Sequence, residues 1–469
     1  MEEQKTPNPR RRKRRNPIET FKEQYLPALI ICVAFLLILV FTIGSVTRAI
    51  QHKKADALQK EQVRLSQQQA LEELEKEVAD LIKEAEAYAK DYDYVKAVET
   101  LDRFSGDMSK FPQMTDLRKQ YEEAKQTMVL WEDNSKVLNL SFQLLIADPE
   151  RAFRDETYGV SYKNNFVTTT EFANILQQLY ENDYILISLD DIYHMETDEL
   201  GQTYLSSKEL YLPQGKKPVM ITQTQVNYNT YMIDGDGDKL PDKDGDGFAS
   251  KLIIDANGNL TCEMVNSDGS VTTGAYDLVP ILDSFVETHE DFSYKGAKAV
   301  LAVTGYDGLF GYRTTTAAGD IFGDDKRQEE IDQAIAVIQK LRETGYDIAC
   351  YTYENIGYGD SEIDAIDADL SGWTNEVMPI LQDVNIFVFA KSDIANASAI
   401  YSGEKYNKLA ALGFKYFIGF CENGTPWQMI TDSYVRQGRL MVTGSNLANN
   451  PAWFEGIFQV DAILDSNRT

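Results

Sequence analysis

Six aspartates fall within thirteen residues, at a spacing that suits a hard cation. They alternate with glycine and lysine in the stretch IDGDGDKLPDKDGDGF. Carboxylates at every second position of a tight loop can converge on one Ca²⁺, which takes about six to eight oxygen ligands. Ile253 stands where an EF-hand needs its last glutamate, so the pattern predicts a different kind of calcium loop, with a solvated acidic loop as the alternative. The predicted ligands are Asp234, Asp236, Asp238, Asp242, Asp244 and Asp246.

Residues that bind transition metals are scarce. The three histidines are His52, His194 and His289, and the last two lie in segments expected to be helical or at helix ends. Two of the four cysteines, Cys350 and Cys421, lie in apolar strand-like runs. Free core thiols are expected there, with one bridge between these two as the alternative. A zinc site that uses two histidines is therefore not expected.

Charge and hydropathy set the N-terminus apart from the rest of the chain. Residues 10–15 are all basic, whereas the whole chain has a formal net charge of -28, which argues against nucleic acid as a partner. Residues 26–46 contain no charged side chain and are long enough to span a bilayer as a signal-anchor helix. The basic run predicts that residues 1–25 form a cytoplasmic tail and that the remainder is extracytoplasmic, in a single-pass protein of a bacterial-type cell membrane. A cleaved signal peptide is the alternative.

Residues 51–131 are predicted to form a charged helical stalk. Further helices are expected over residues 94–104 and 115–131, and one stretch resembles a single helical hairpin of a tetratricopeptide repeat. The alternative is a coiled coil that binds a partner or forms a homo-oligomer. Apolar residues at 3-4 spacing predict a packing stripe formed by Leu71, Leu74, Val78, Leu81, Ala85 and Tyr88.

Residues 136–469 alternate short β-rich runs with helical ones, the last β-rich run being LMVTGS. This order is typical of parallel βα units. About seven such strands predict an α/β fold with a (β/α)₇ barrel rather than an open sheet. Residues 232–276 interrupt the alternation, and they are predicted to form a β-rich insertion of the acidic loop and β-hairpins. The hairpin turns are expected at Asn257-Gly258 and Asp268-Gly269.

The segment FVTTTEFANILQQLYENDYILISLDDI resembles the entry segment of the polysaccharide deacetylase family, which has NodB homology and is also called carbohydrate esterase family 4. KKPVMIT, KGAKAVLAVTG, LRETGYDIACYTYEN and NIFVFAKSD resemble later strands of that family. The likeness covers about residues 136–455. It implies a distorted, TIM-like (β/α)₇ barrel and hydrolysis of the C–N amide bond of N-acetyl sugars. The residues matched in the entry segment are Phe166, Phe172, Leu176, Leu179, Tyr184, Ile187, Ser188, Leu189, Asp190 and Asp191.

The catalytic positions of that family carry other residues in this chain. In the family, an aspartate and two histidines bind one metal, and a second aspartate acts as general base. The resemblance places the aspartates at Thr224 and Gln225, and the histidines at Tyr351 and Asn355. Threonine and glutamine offer neither a negative charge for a metal nor a lone pair basic enough to activate water. Metal-dependent deacetylation and bound zinc are therefore not expected.

Other polar residues would still line the mouth of the implied barrel, meaning the end at which its strands finish. Amides, tyrosines and arginines can hydrogen-bond to sugars, and Glu354 and Asp393 would be a carboxylate pair for glycoside hydrolysis. The leading hypothesis is a membrane-anchored protein that binds or scaffolds a cell-wall or other envelope glycan. The alternatives are an active carbohydrate hydrolase, either a deacetylase with unusual ligands or a glycosidase, and a spacer on a stalk. The candidate substrate-binding residues are Gln223, Asn227, Arg313, Glu354 and Asp393, with Arg439 near them.

Overall fold

The structure, a computed structural model, describes Ile18 and residues 25–233, 246–266, 268–397 and 399–468. The chain divides into two compact units, Met1–Asp80 and Leu81–Thr469. Parallel strands form the centre of the second unit. They are β1 (Leu138–Phe142), β2 (Lys217–Thr224), β3 (Ala299–Val303), β4 (Asp347–Cys350), β5 (Ile386–Val388), β6 (Tyr416–Phe420) and β7 (Val435–Met441).

These seven strands close into a barrel. Their order around it is β1, β2, β3, β4, β5, β6 and β7, and every neighbouring pair is parallel. The barrel closes where β7 pairs with β1, with Leu440 opposite Leu140. The predicted seven-stranded, TIM-like α/β barrel is confirmed.

The rest of the described chain forms helices and short strands. The α-helices are Leu26–Lys90, Tyr94–Asp102, Pro112–Gln126, Pro149–Arg154, Gly159–Asn165, Thr169–Glu181, Leu278–Thr288, Thr316–Phe322, Asp324–Glu343, Ile363–Gly372, Met378–Leu381, Glu404–Ala411, Gly444–Asn449 and Val460–Ile463, with a π-helical turn at Trp373–Val377. Helical 3₁₀ turns lie at Met108–Lys110, Asn134–Lys136, Leu189–Asp191, Thr230–Met232, Glu290–Phe292, Glu422–Gly424, Pro451–Phe454 and Ser466–Arg468. The remaining strands are Val129–Trp131, Tyr184–Leu186, Tyr193–Thr197, Thr203–Ser207, Leu210–Leu212, Lys251–Ile254, Leu260–Val265, Val271–Gly274 and Gln428–Ile430.

The last barrel strand begins earlier than the sequence pattern predicts. The apolar run LMVTGS suggests a strand from residue 440, but β7 begins at Val435. Arg436 and Arg439 make this part of the strand hard to recognise from the sequence, because charged residues are rarely buried unless they are paired. Both are 0% exposed in the structure, and both are hydrogen-bonded.

Alternate residues of the barrel strands form two apolar layers, as the two-residue period of a strand requires. One set packs with the surrounding helices, and the other fills the barrel interior. The interior also contains a polar chain in which Thr222 Oγ1 donates to Asn139 Oδ1 at 2.9 Å. The Asn139 amide in turn donates to Gln437 Oε1 at 3.0 Å. The barrel is thus a packed core with its own hydrogen-bond network.

The long helix Leu26–Lys90 includes the predicted signal anchor. An 18-residue window of it has a mean hydropathy of 3.0, and the helix is long and apolar enough to cross a membrane.

Residues 81–131 belong to the same compact unit as the barrel. The Lys295 backbone N–H donates to Asp91 O at 2.7 Å, and Lys90 pairs with Glu290 at 3.0 Å. The second predicted helix ends at Gln126 rather than residue 131. Val129–Trp131 instead forms a strand antiparallel to Leu210–Leu212, where its backbone pairs with residues distant in the chain.

The predicted β-hairpins of the insertion are confirmed. Lys251–Ile254, Leu260–Val265 and Val271–Gly274 form a three-stranded antiparallel sheet. Its turns place Gly258 at φ +85° and Gly269 at φ +80°, a region of backbone conformation that favours glycine.

An internal ion pair fixes the C-terminal end of the described chain. Arg468 donates from Nε to Glu171 Oε1 and from Nη2 to Oε2, both at 2.6 Å. Glu171 also accepts from the Thr168 backbone N–H at 2.8 Å and so completes the capping box of helix Thr169–Glu181. The last described turn, Ser466–Arg468, is therefore bound to helix Thr169–Glu181.

Candidate functional site

The mouth of the barrel brings together two of the four positions that the family resemblance assigns to catalysis. Thr224 is the last residue of β2 and Tyr351 follows β4, and both are buried. The Tyr351 hydroxyl donates to Ala390 O at 2.9 Å. Burial raises the pKa of Tyr351, while the Arg439 charge and hydrogen bonds with Thr224 and Arg439 lower it. These three side chains therefore meet inside the barrel.

A guanidinium group occupies this part of the interior. Arg439 is 0% exposed and donates to three backbone carbonyls: Ile418 at 3.1 Å, Gly419 at 3.0 Å and Phe389 at 2.7 Å. Its Cζ lies 5.9 Å from the centre of the Tyr351 ring, so an aromatic face also contributes to holding it. Burial lowers the pKa of Arg439, but arginine stays protonated in proteins. The mouth therefore carries a fixed positive charge.

The other two family positions lie in backbone of unusual conformation. Gln225 has φ +58° and Asn355 has φ +54°, and both are half-buried. Thr352, a β-branched residue, has φ +63°. Such conformations are uncommon for residues other than glycine and persist where the surrounding structure enforces them. Neither the Gln225 nor the Asn355 side chain hydrogen-bonds to another residue within the described ranges.

The side-chain amides of Gln223 and Asn227, both predicted to bind substrate, form hydrogen bonds within the protein instead. The Gln223 amide donates to Asp277 Oδ1 at 2.7 Å and to Gln143 O at 3.3 Å. The Asn227 amide donates to Thr304 O at 3.0 Å, and its oxygen accepts from the Thr304 backbone N–H at 2.9 Å. Both side chains are 0% exposed.

Arg313 is also held by the protein. It donates to the carbonyl oxygens of Asp307 at 2.7 Å and Tyr228 at 2.8 Å. Burial lowers its pKa, while the charges of Asp307 and Glu330 raise it.

The two predicted carboxylates have different surroundings. Glu354 is exposed. Asp393 pairs with Arg436 at 2.9 Å and accepts from the Tyr401 hydroxyl at 2.6 Å. A carboxylate bound in this way orders the loop after β5.

Sequence reasoning missed a buried carboxylate behind β2. Asp277 precedes helix Leu278–Thr288 and accepts from Gln223, from the Leu145 backbone N–H at 2.9 Å, and from the Tyr228 hydroxyl at 2.7 Å. The Tyr228 hydroxyl also lies 3.8 Å from Cys262 Sγ. The signal in the sequence is an aspartate directly before an apolar helix, which is a common helix start.

This carboxylate gives the protein a pH-dependent stability. Burial raises the pKa of Asp277 to about 6 from its ordinary value of 3.8, against the opposing effect of its hydrogen bonds. A raised carboxyl pKa means that the folded state holds the proton more tightly than the unfolded state. Its stabilising contribution is thus complete below about pH 4 and is lost as the pH rises through about 6, a difference of about 3 kcal/mol.

We therefore expect Asp277→Asn, which keeps the shape of the side chain, to reduce the fall in unfolding free energy between about pH 4 and pH 7. Denaturant titration of both proteins at both pH values measures this. Asp320→Asn, at an exposed helix position, is the matched control and should keep the parent's pH dependence. An unchanged pH dependence in the Asp277 variant would contradict the prediction.

Most of the predicted calcium loop lies outside the described residues: Asp234, Asp236, Asp238, Asp242 and Asp244. Asp246 is buried and accepts a hydrogen bond from the Tyr162 hydroxyl at 2.5 Å. It therefore fixes the returning end of the loop to the barrel unit.

The residues at the mouth do not fit the metal that the family resemblance implies. Thr224 and Tyr351 offer neutral oxygens, and the Arg439 cation repels a divalent ion. Over the described ranges, no three His, Cys, Asp or Glu side chains are grouped so as to hold a metal.

His194 lies on a strand, not on the helix expected from the sequence, and its Nε2 is 2.7 Å from Glu196 Oε1. His289 stacks on Phe285 at the end of its helix, as expected.

Cys350 and Cys421 are free thiols, and burial raises the pKa of both.

Comparison with known proteins reveals a distant structural likeness. No family model matches the chain, and no curated protein matches it. Among solved structures, the chain is similar to a Streptococcus pyogenes deacetylase, PplD, in complex with acetate, at a TM-score of 0.31 and 12% identity. The match covers 68% of this chain and 95% of that one. A likeness this distant shows neither the activity nor the substrate of this chain.

Proposed function

We propose that this chain is a membrane-anchored, extracytoplasmic protein of deacetylase-like fold that lacks metal-dependent deacetylase activity and binds or scaffolds an envelope glycan. The observation that carries the proposal is the buried Arg439 guanidinium beside Thr224 and Tyr351. A positive charge at this place opposes both a divalent cation and the general-base chemistry that depends on it. The long apolar helix, preceded by basic residues, supports anchoring with the N-terminus in the cytoplasm.

The hydrolase alternative finds less support in the geometry. A glycosidase needs one carboxyl group as acid and a second as base or nucleophile. Glu354 is exposed at the mouth, but Asp393 is bound to Arg436 and Tyr401. Of the two predicted carboxylates, therefore, only Glu354 is free of such partners among the described residues, whereas the chemistry requires two.

The test uses the full-length chain purified in lipid nanodiscs. We expect no stoichiometric zinc by elemental analysis and no acetate release from N-acetylglucosamine oligomers, with or without chelator. Saturable binding of an envelope glycan is expected in the same preparation. Stoichiometric zinc, together with acetate release that a chelator abolishes, would overturn the proposal.

We also propose that the aspartate loop binds Ca²⁺ in the folded protein. Six carboxylates in thirteen residues repel one another unless a cation neutralises them. Calcium should raise the thermal midpoint, since a ligand at a hundred times its Kd stabilises the state that binds it by about 2.7 kcal/mol. Asp244→Asn should reduce this shift, whereas Asp268→Asn, at an exposed hairpin turn, should not. An unchanged midpoint in the parent protein would rule out a calcium site specific to the folded state.

A further inference from the structure

A cavity lies at the opposite end of the barrel from the mouth, where the strands begin. Its volume is about 370 Å³, within the range of about 300–1,000 Å³ typical of small-molecule sites. The segment before β1, the hairpin formed by Tyr193–Thr197 and Thr203–Ser207, and the edge strand Gln428–Ile430 border it. All of these belong to the barrel unit.

Two polar atoms of residues that line this cavity are buried and lack a hydrogen-bond partner in the described protein: Asn134 Oδ1 and Gln428 Nε2. The other end of each amide is bound. The Asn134 nitrogen donates to Ser207 Oγ and to Lys208 O, both at 3.1 Å, and the Gln428 oxygen accepts from the Tyr193 hydroxyl. A buried polar atom left unpaired costs about 1–3 kcal/mol. Both atoms have almost no accessible surface, so a ligand with hydroxyl or amide groups pairs with them only when the two neutral amides rotate toward the cavity.

The remaining lining residues indicate which polarity and charge a ligand of this cavity would have. Trp131 is half-buried, and its indole N–H donates to Asp133 O at 2.8 Å, which fixes the orientation of the ring. An aromatic ring held beside amides suits a molecule with both apolar and hydrogen-bonding faces. Glu132, Asp133 and Glu209 outnumber Lys208 among the charged lining residues. The excess negative charge disfavours phosphates and uronates, and it favours neutral or positively charged ligands.

We infer that this cavity binds one or two units of a neutral or amino-sugar saccharide. The inference deepens the proposed function and rests on it for the source of the saccharide, an envelope glycan. It places glycan recognition at the end of the barrel where the strands begin, at Trp131, Asn134 and Gln428, rather than at the mouth. The barrel would then serve as a scaffold for a site built by the segments around its base.

The experiment measures saccharide binding to the full-length chain in nanodiscs by calorimetry. The probes are an N-acetylglucosamine tetramer, a glucosamine tetramer and a tetragalacturonate. Gln428→Met removes the unpaired donor, and Ser135→Trp, at an exposed lining position, fills the cavity without disturbing the core. Glu354→Ala, exposed at the mouth, tests the competing site, and Asp320→Asn, at an exposed helix position, is the matched control. Circular dichroism verifies that each variant is folded.

We expect the neutral or the amino-sugar tetramer to bind, and both cavity variants to weaken that binding at least about tenfold while Glu354→Ala leaves it unchanged. Binding lost only in the mouth variant would overturn this inference and leave the proposed function standing. Binding of tetragalacturonate alone would overturn it as well. An absence of any saccharide binding would overturn both the inference and the glycan part of the proposed function. Chelator-sensitive acetate release with normal cavity binding would overturn the proposed function alone.

Discussion

Replacing Arg439 with alanine is expected to lower the free energy of unfolding by about 3–5 kcal/mol. The guanidinium donates to three carbonyls, of Phe389, Ile418 and Gly419, in the fully buried interior. Its removal leaves buried acceptors with fewer donors and opens a cavity between β5, β6 and β7. Both effects destabilise a packed interior. Denaturant titration of the parent and the variant measures the loss.

Two further variants identify the cause of that loss. Arg439→Met keeps much of the apolar volume but none of the donors. The difference in unfolding free energy between the methionine and alanine variants therefore measures the cost of the cavity alone. Lys391→Ala, at an exposed position after β5, should change stability by less than about 0.5 kcal/mol. If Arg439→Ala were as stable as the parent, the guanidinium would not be a structural part of the barrel, and the main support for the proposed function would be lost.

The second large effect is expected at Asp393. Its partner Arg436 has a side chain that is 0% exposed, whereas that of Asp393 is 11% exposed. Removing one member of a buried ion pair leaves the other charge uncompensated, at a cost of about 3–5 kcal/mol. Asp393→Ala should therefore lower the free energy of unfolding by that amount, and Asp393→Asn by less, because the amide oxygen still accepts from Arg436 or Tyr401.

The same variants separate a structural role of Asp393 from a catalytic one. Glu354→Ala should leave stability unchanged, because that carboxylate is exposed. Release of reducing sugar from N-acetylglucosamine oligomers is measured alongside stability. If Asp393→Asn abolished such a release while the stability stayed at the parent's value, Asp393 would be a catalytic group and the hydrolase alternative would be correct.

The barrel can be predicted well because each of its strands is recognisable from a short stretch of sequence. Runs such as AKAVLAVTG alternate with helical segments, and each run needs only its own composition to be read as a buried strand. The insertion's hairpins were predicted for the same reason, since Asn257-Gly258 and Asp268-Gly269 specify tight turns by themselves. The residues of LMVTGS likewise identified the last strand, although not its start.

The interior of the mouth could not be predicted because it depends on partners distant in the chain. The sequence places Arg439 only near the mouth and does not single out Arg436, and only the fold brings Asp393 and the carbonyls of Phe389 and β6 to them. Asp277 likewise gains Leu145 and Tyr228 only when the barrel closes. The family positions at Thr224 and Tyr351 were placed from the resemblance, but their contact with Arg439 required the three-dimensional structure.

The ion pair between Glu171 and Arg468 has a consequence for how the protein is made. The two residues are separated by 297 positions, and β1 must wait for β7 before the barrel can close. A chain that emerges from its N-terminal end first therefore exposes an unpaired strand edge until β7 has been synthesised, and such edges promote aggregation. A product truncated before residue 468 lacks the partner of Glu171. Until β7 has been made, chaperones would therefore meet this chain as an open sheet with unpaired strand edges rather than as a closed barrel.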